Sequence, residues 1–349
     1  MKENYKLAIV GYGGMGSQHS RLLKDVPNIS ISGIFDISEG KQAEARENGL
    51  KSYHSFEDIL KDDTVDIVLI ATPNHLHKNI AVKALDAGKH VICEKPVALS
   101  SDELAEIIDA ADRNKRIFVV HQNRRWDEDY LVMKKILDEK IIGEIYNVES
   151  RVIGSRGIPG DWRHEKQYGG GMMLDWGVHL IDRVLVMIDD KIEKIYCRMS
   201  YILGNDVDDG FQLMLDFKSG KTAFVEVQTN NYISLPLWYM AGSNGTAAID
   251  DWDMGGNIAT LTKYDDKDAK PIEAGAGLTK TMAPRGEDTV EIKPIFRLDS
   301  DVKDFYMNVL NTIEGKEEII VKNTQVMRVM KVIEAAFKSS ELHQTVDFE

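Results

Sequence analysis

Lys6-Leu7-Ala8-Ile9-Val10 is continuously apolar from Leu7 until it stops at a glycine, and Gly11-Tyr12-Gly13-Gly14-Met15-Gly16 follows it with the spacing G-x-G-x-x-G. No other stretch limits the fold so severely. An apolar run without alternation marks a strand covered on both faces. The glycines permit a tight turn and a close backbone approach, and residues 17–24 read as a helix whose N-terminus can receive a pyrophosphate. A second strand, 29–35, ends at Asp36, twenty residues beyond Gly16. A carboxylate there accepts hydrogen bonds from both ribose hydroxyls of NAD and repels the extra phosphate of NADP. Gly11, Gly13, Gly14, Met15, Gly16 and Asp36 are therefore expected to bind a dinucleotide, NAD rather than NADP. A chance glycine turn beside a surface Asp is the competing reading, and the strand, turn, helix and second strand weigh against it.

The alternation continues with a helix at 38–48, a short strand at 51–53, a helix at 55–60 and a buried strand at 66–71 that breaks at Thr72-Pro73-Asn74. A helix at 78–87, a strand at 90–93, a helix at 101–114 and a strand at 117–122 complete a doubly wound parallel sheet. In such sheets ligands bind beyond the carboxyl ends of the strands, which places Thr72, Pro73, Asn74, His75 and Glu94 at the cofactor, with His77 counted among them. His75 and His77 are two apart and have no third partner, so they are not read as a metal pair, and no metal is expected. Lys95, at the end of the 90–93 strand, is positioned to hold a substrate oxygen as it becomes an alkoxide, unless it is only a solvated loop lysine. Cys93 is read as core packing. The first domain is taken as 1–123 and the second as 124–349.

Gly169-Gly170-Gly171 can approach another body without a side chain in the way, and a helical apolar period follows: Leu174, Val178, Ile181, Leu185, Ile188. Asp175 and His179, one turn apart beside that stripe, are expected to converge, the carboxylate fixing the imidazole tautomer and raising its basicity for general-base work. The competing reading is an Asp placed for the helix dipole and a half-buried, hydrogen-bonded His.

With 349 residues the chain suits two domains, and 43 Lys+Arg against 57 Asp+Glu give a net charge of -14 that repels nucleic acid and anionic membranes. No apolar run approaches the roughly 20 residues of a membrane span. No secretion signal is apparent, and two cysteines make neither a disulfide framework nor a zinc pattern, so a cytoplasmic location is expected.

Taken in order, Gly11 to Gly16, Thr72-Pro73-Asn74, Glu94-Lys95-Pro96 and the glycine run with Asp175 and His179 resemble the glucose-fructose oxidoreductase, inositol dehydrogenase and rhizopine-catabolism (Gfo/Idh/MocA) family. The resemblance implies an α/β protein with an N-terminal Rossmann domain and a C-terminal α+β domain on a large, mostly antiparallel sheet. It also implies that Lys95, Asp175 and His179 form the catalytic trio and that the bond before Pro96 is cis. Asn123-Arg124-Arg125-Trp126-Asp127 is similar to the NADP-linked scyllo-inositol dehydrogenase branch, against which Asp36 followed by Ile37 offers no basic group for a phosphate. In the second domain, strands are read at 145–153, 193–203, 209–217 and 222–229, with Phe211, Leu213, Leu215 and Phe217 alternating and Ser219-Gly220 turning. By resemblance, the open face of this sheet forms a homodimer or homotetramer.

The loop 154–168 precedes the catalytic helix, and loops of this length are often binding elements. Trp162 either covers a sugar ring or the nicotinamide, or anchors its own loop; Arg163 is expected to bind hydroxyls, and Arg124 is placed with the substrate. Residues 257–294 carry no functional signal, and helices at 301–311 and 324–337 close the chain. The expected activity is NAD-dependent oxidation of a secondary hydroxyl on an inositol, sugar or glycoside. Its rivals are a hydrolase or eliminase that oxidises the sugar transiently and a sensor that turns nothing over.

Overall fold

The computed structural model describes residues 3–263, 270–281, 283, 285 and 288–349. Residues 1 and 2, and residues 264–269, 282, 284, 286 and 287 in the stretch 257–294, lie outside the described residues. The first sheet contains β1 (Tyr5–Val10), β2 (Ile29–Phe35), β3 (Ile67–Ile70), β4 (His90–Cys93) and β5 (Phe118–Val120), in the order β2-β1-β3-β4-β5. Every pairing in it is parallel. The helices α1 (Gly14–Leu22), α2 (Glu39–Glu47), α3 (Phe56–Lys61), α4 (His77–Asp86) and α5 (Ser101–Asn114) accompany it. All four residues of β3 are buried, as a strand covered on both faces requires. Ser55 and Asp58 close α3 with a reciprocal capping box, and Ser100 caps α5. The strand expected at 51–53 reduces to one bridge, Ile34 to Ser52.

The second sheet comprises β6 (Ile145–Ile153), β7 (Ile192–Ser200), β8 (Gly210–Phe217), β9 (Thr222–Gln228), β10 (Trp238–Gly242), β11 (Gly245–Ile249) and β12 (Gly256–Leu261). A small hairpin, β13 (Ile272–Ala274) and β14 (Gly277–Thr279), stands apart, and β15 (Val290–Pro294) and β16 (Val346–Asp347) form the edges of a nine-stranded order, β15-β12-β11-β10-β6-β9-β8-β7-β16. Within it β6 and β9 run parallel while the other neighbours are antiparallel, matching the mostly antiparallel sheet that the resemblance implied. In β8, Phe211, Leu213, Leu215 and Phe217 are buried while Gln212 and Met214 are exposed, so its alternation separates the covered face from the open one.

The helices α6 (Glu128–Asp138), α7 (Val178–Met187), α8 (Lys303–Ile313) and α9 (Asn323–Leu342) complete the described fold. Phe305, Tyr306, Val309 and Leu310 of α8 fill the core of the first sheet, whereas α9 sends Val326 and Met330 into that core and Val329, Val332 and Ile333 into the other. We propose residue 123 as the domain boundary in the sense that the chain crosses there; α8 then returns across it. No helix among the described residues is long and apolar enough to cross a membrane.

The helix α7 is buried along its length except at Val186, polar residues included, since His179, Asp182 and Arg183 are each at most 4% exposed. Burying charge is costly unless it is paired, and here it is paired. Asp182 accepts two bonds from Arg125 at 2.6 and 2.7 Å, and Arg183 meets Asp129 at 3.1 Å, which also accepts from Trp238 Nε1 at 2.7 Å. Arg125 also donates to the Ile320 carbonyl and the Gln325 side chain, which ties the crossing point to α7 and to the start of α9. Arg125→Ala leaves Asp182 buried without its cation and is expected to cost about 3–5 kcal/mol, measured by urea denaturation. A loss below about 1 kcal/mol would show that water reaches the carboxylate.

Candidate active site

A cavity of about 700 Å3 opens at the carboxyl ends of β1, β3 and β4, lined by Gly11, Gly13, Gly14, Met15, Asp36, Thr72, Pro73, Asn74, Glu94 and Lys95. The glycines divide into two roles. A Cβ on Gly11 would lie 2.5 Å from the Ala71 carbonyl oxygen, and one on Gly16 would lie 2.0 Å from that of Gly11, so these two let the turn close. Gly13 and Gly14 face open space within 4 Å and leave room for a ligand. No side chain caps the N-terminus of α1, so its free N–H groups are available to an anion. The Asp36 carboxylate accepts Tyr12 N at 2.7 Å and Ser38 N at 2.8 Å, which fixes its plane and leaves lone pairs for hydroxyl donors. Beside it, Ile37 is 90% exposed and offers no charge. Thr72 Oγ1 is buried without a protein partner in the same cavity, a polar atom suited to a ligand. This shape and donor set fit a dinucleotide.

Three expected contacts lie elsewhere. Gly16 serves the turn rather than the cavity wall. His77 is fully buried between the carbonyls of Pro96 and Thr72, at 2.9 and 2.8 Å, and braces the two turns that do line the cavity. His75 packs on the Tyr168 ring with centroids 5.0 Å apart.

Lys95 and Asp175 meet at the junction of the two domains, the charge of Lys95 bears on His179 one turn further along, and the peptide bond before Pro96 is cis. Lys95 Nζ donates to Asp175 Oδ1 and to the Asp175 carbonyl, both at 3.0 Å, and Arg163 Nε lies 3.1 Å from Asp175 Oδ2. Burial alone would raise the Asp175 carboxyl; the charges of Lys95 and Arg163 outweigh it and hold the group below its usual range. The expected Asp175–His179 partnership is not what forms. The predicted helix starts with a π-helical turn, Met173–Gly177, and α7 follows, and both Asp175 oxygens face cations. His179 Nδ1 instead lies 3.1 Å from Gln122 Oε1. Nor is the imidazole made more basic: burial, then the charges of Lys95, Arg124 and Arg183, push it well below its usual value, so the ring is neutral at neutral pH.

The loop 154–168 reaches the cavity through Asp161, Trp162 and Arg163. The Arg163 guanidinium stacks over Trp162 at 4.8 Å and also pairs with Asp161 at 2.6 Å. Arg124 pairs with Asp127 at 2.8 Å and lies over Trp176 at 4.3 Å, with Trp252 at 5.8 Å on the β11–β12 connection. The glycine run makes the close approach its composition suggested. Added Cβ atoms would meet Leu99 at 2.7 Å from Gly169, the Arg163 carbonyl at 2.3 Å from Gly170 and Asp208 Oδ1 at 2.2 Å from Gly171. Asn74 donates to the Gly169 carbonyl at 3.0 Å, which joins the cofactor cavity to this run.

Several residues escaped the sequence reading. Gln122 ends the segment read as the strand 117–122, and the rule that strand ends carry sites reaches it as it reaches Lys95. Asp208, whose carboxylate accepts Met173 N at 2.7 Å, caps the π-helical turn from a distant loop, and burial raises its carboxyl to about 7. Glu94 Oε1 accepts from His19 at 2.7 Å and from His121 at 2.9 Å, while Oε2 takes Lys95 N at 3.1 Å. His19, Glu94 and His121 could be mistaken for metal ligands. Their separations are those of hydrogen bonds, with the carboxylate as acceptor for both rings, and Tyr306 holds the other nitrogen of His19.

Residues 5–122 match the model of the GFO/IDH/MocA oxidoreductase family with an NAD-binding Rossmann fold, and 130–248 match a GFO/IDH/MocA C-terminal domain. The fold superposes on an NAD-binding protein from Listeria innocua with TM-score 0.95 and 47% identity, covering 99% of this chain and 100% of that one. A scyllo-inositol 2-dehydrogenase (NADP(+)) of Bacillus subtilis is 25% identical over 99% of this chain and 97% of its own. An inositol 2-dehydrogenase of Salmonella paratyphi B is 30% identical over 64% and 67%. With both domain models matched in order along the chain and the dinucleotide cavity formed, this protein belongs to the Gfo/Idh/MocA family of NAD(P)-dependent oxidoreductases.

Proposed function

We propose that the chain oxidises a secondary hydroxyl of a neutral polyhydroxylated ring, an inositol, a sugar or a glycoside, to the ketone, with NAD as the preferred cofactor. The observation that carries this reading is Lys95 at the wall of the dinucleotide cavity, paired with Asp175 on the segment that also carries the buried, neutral His179. Bound NAD would supply the hydride acceptor. Gly13, Gly14 and the N-terminus of α1 would hold its pyrophosphate, and Asp36 its adenosine ribose. Lys95 holds the substrate oxygen and stabilises negative charge developing there. His179 Nε2 takes the hydroxyl proton. Asp175 positions Lys95 and Arg163 rather than the imidazole. A neutral substrate is favoured because Arg124 and Arg163 are each already paired with carboxylates, leaving neither guanidinium free for an anion. The names of the Bacillus and Salmonella relatives support an inositol as the first substrate to try. We assign the uncovered face of the nine-stranded sheet, where Tyr196, Met214 and Phe224 align in register, to a second copy of the chain in a homodimer or homotetramer.

A panel of inositols, aldoses and glycosides with NAD tests the reading. NADH is expected to accumulate in step with ketone; product without NADH would point to transient oxidation and elimination, and binding without turnover to a sensor. Catalytic efficiency with NAD is expected to exceed that with NADP by about tenfold or more, because the Asp36 carboxylate, held by Tyr12 N and Ser38 N, would accept the ribose hydroxyls and repel a phosphate there. Equal efficiency would overturn the cofactor preference, which the NADP(+) in the name of the Bacillus relative makes the first measurement to take.

The pH dependence follows from the depressed imidazole. His179 loses competence only when protonated, so oxidation should hold its rate through mildly acidic pH and fall below the usual imidazole range. Lys95→Met is expected to lower kcat by about two orders of magnitude or more. Removing that positive charge makes the imidazolium easier to form, so the residual acidic limb moves to higher pH. An unmoved limb in a folded variant would place the base elsewhere.

A further inference from the structure

We infer that Gln122 is a positioning residue that fixes His179 as the Nδ1–H tautomer and thereby leaves Nε2 as the proton acceptor. This rests on the reading of His179 as the base. Gln122 is fully buried at the end of the segment that follows β5, and its backbone N–H donates to the Val120 carbonyl at 2.8 Å. Its side chain therefore stands on the rigid edge of the first sheet while His179 stands on α7 of the second domain. Oε1 lies 3.1 Å from His179 Nδ1. An amide oxygen only accepts, so the proton of that bond belongs to Nδ1. A neutral imidazole has one N–H, and Nε2 then carries a lone pair. Nε2 has no partner among the described residues.

The choice of an amide matters. A carboxylate at this position would raise the basicity of the ring as it oriented it; an amide orients it without adding charge. The carboxylate a turn before it, Asp175, is held by Lys95 and Arg163, and the one a turn after it, Asp182, by Arg125. The charges that bear most on the imidazole are Lys95 from the turn after β4, Arg124 from the turn after β5 and Arg183 from α7, with the anion Glu94 opposing them. All three cations disfavour the imidazolium, so the ring stays neutral and the question that decides its function is which nitrogen holds the proton. The opposite orientation of the Gln122 amide would give the opposite answer: its N–H would donate to Nδ1, and Nε2 would carry the proton and be unable to accept another.

Nitrogen-15 NMR of histidine-labelled full-length protein, without substrate or cofactor, reads the tautomer directly, with His179→Ala assigning the signal. The expected result is a protonated Nδ1 in the wild-type protein and a mixture of tautomers in Gln122→Leu. A protonated Nε2 in the wild type overturns the inference. Because no turnover is involved, this outcome is separate from any failure to find the substrate. Gln122→Glu, of the same shape, is expected to raise the titration midpoint of His179 by about 1 unit or more. An unmoved midpoint also overturns the inference, and this variant decides the matter if Gln122→Leu fails to fold. With a substrate in hand, Gln122→Leu is expected to lower kcat about 100-fold while the dissociation constant for NAD stays within about twofold of wild type. Unchanged kcat in the folded variant would show that the amide does not serve the base.

Discussion

The ion pair between Lys95 and Asp175 joins a strand end of the dinucleotide-binding sheet to the opening turn of the buried helix in the second domain, and both side chains are mostly removed from solvent. A carboxylate in that position has a choice of partners. It takes the ammonium and the guanidinium of Arg163, since charge pairing in a poorly solvated place outweighs a bond to a neutral imidazole. Two consequences follow. The loop 154–168 is drawn over the cavity because Arg163 belongs to it, and His179 is released to the amide of Gln122. The division of labour among the site residues thus descends from one electrostatic preference.

The same logic governs the rest of α7. A helix buried at all but one of its residues would ordinarily be apolar, yet this one carries His179, Asp182 and Arg183. Each charged residue has its counter-ion on an element from beyond the helix, Asp182 on Arg125 and Arg183 on Asp129. These bonds set where α7 lies relative to the first sheet, and with it where His179 lies relative to Lys95. Removing any one partner would strand a charge, so the helix has little freedom to slide or turn.

Behind the cavity, Glu94 connects the cofactor side to the chemistry. It accepts from His19 on α1, from His121 after β5 and from the backbone of Lys95, and Tyr306 on α8 holds His19 from outside. The helix expected to meet the pyrophosphate, the lysine expected to meet the substrate and a helix from the far end of the chain therefore share one buried carboxylate. Burial opposes its ionisation, and its two histidine partners reverse that and hold it well below the usual range.

What the sequence determined by itself was whatever depends on local period and on order along the chain. The parallel sheet was legible because continuously apolar runs ended at glycine, Thr72-Pro73-Asn74 and Glu94-Lys95-Pro96, and the strand ends name the cofactor side without any tertiary knowledge. The alternation of Phe211 to Phe217 likewise announced a half-covered strand, and the glycine run announced a close approach. The short strands β10, β11 and β12 were not legible, nor was the return of α8 to the first core, because neither has a local signal as strong as a motif. Which groups pair inside the site was beyond the sequence altogether. A spacing of four put Asp175 near His179, but the partners each chose stand elsewhere: Lys95 and Gln122 on segments distant along the chain, Arg163 in the preceding loop. Only the packing of the two domains brings Lys95 and Gln122 to Asp175 and His179, only the fold of the preceding loop brings Arg163, and once they meet, the cost of an unpaired buried charge decides who bonds to whom.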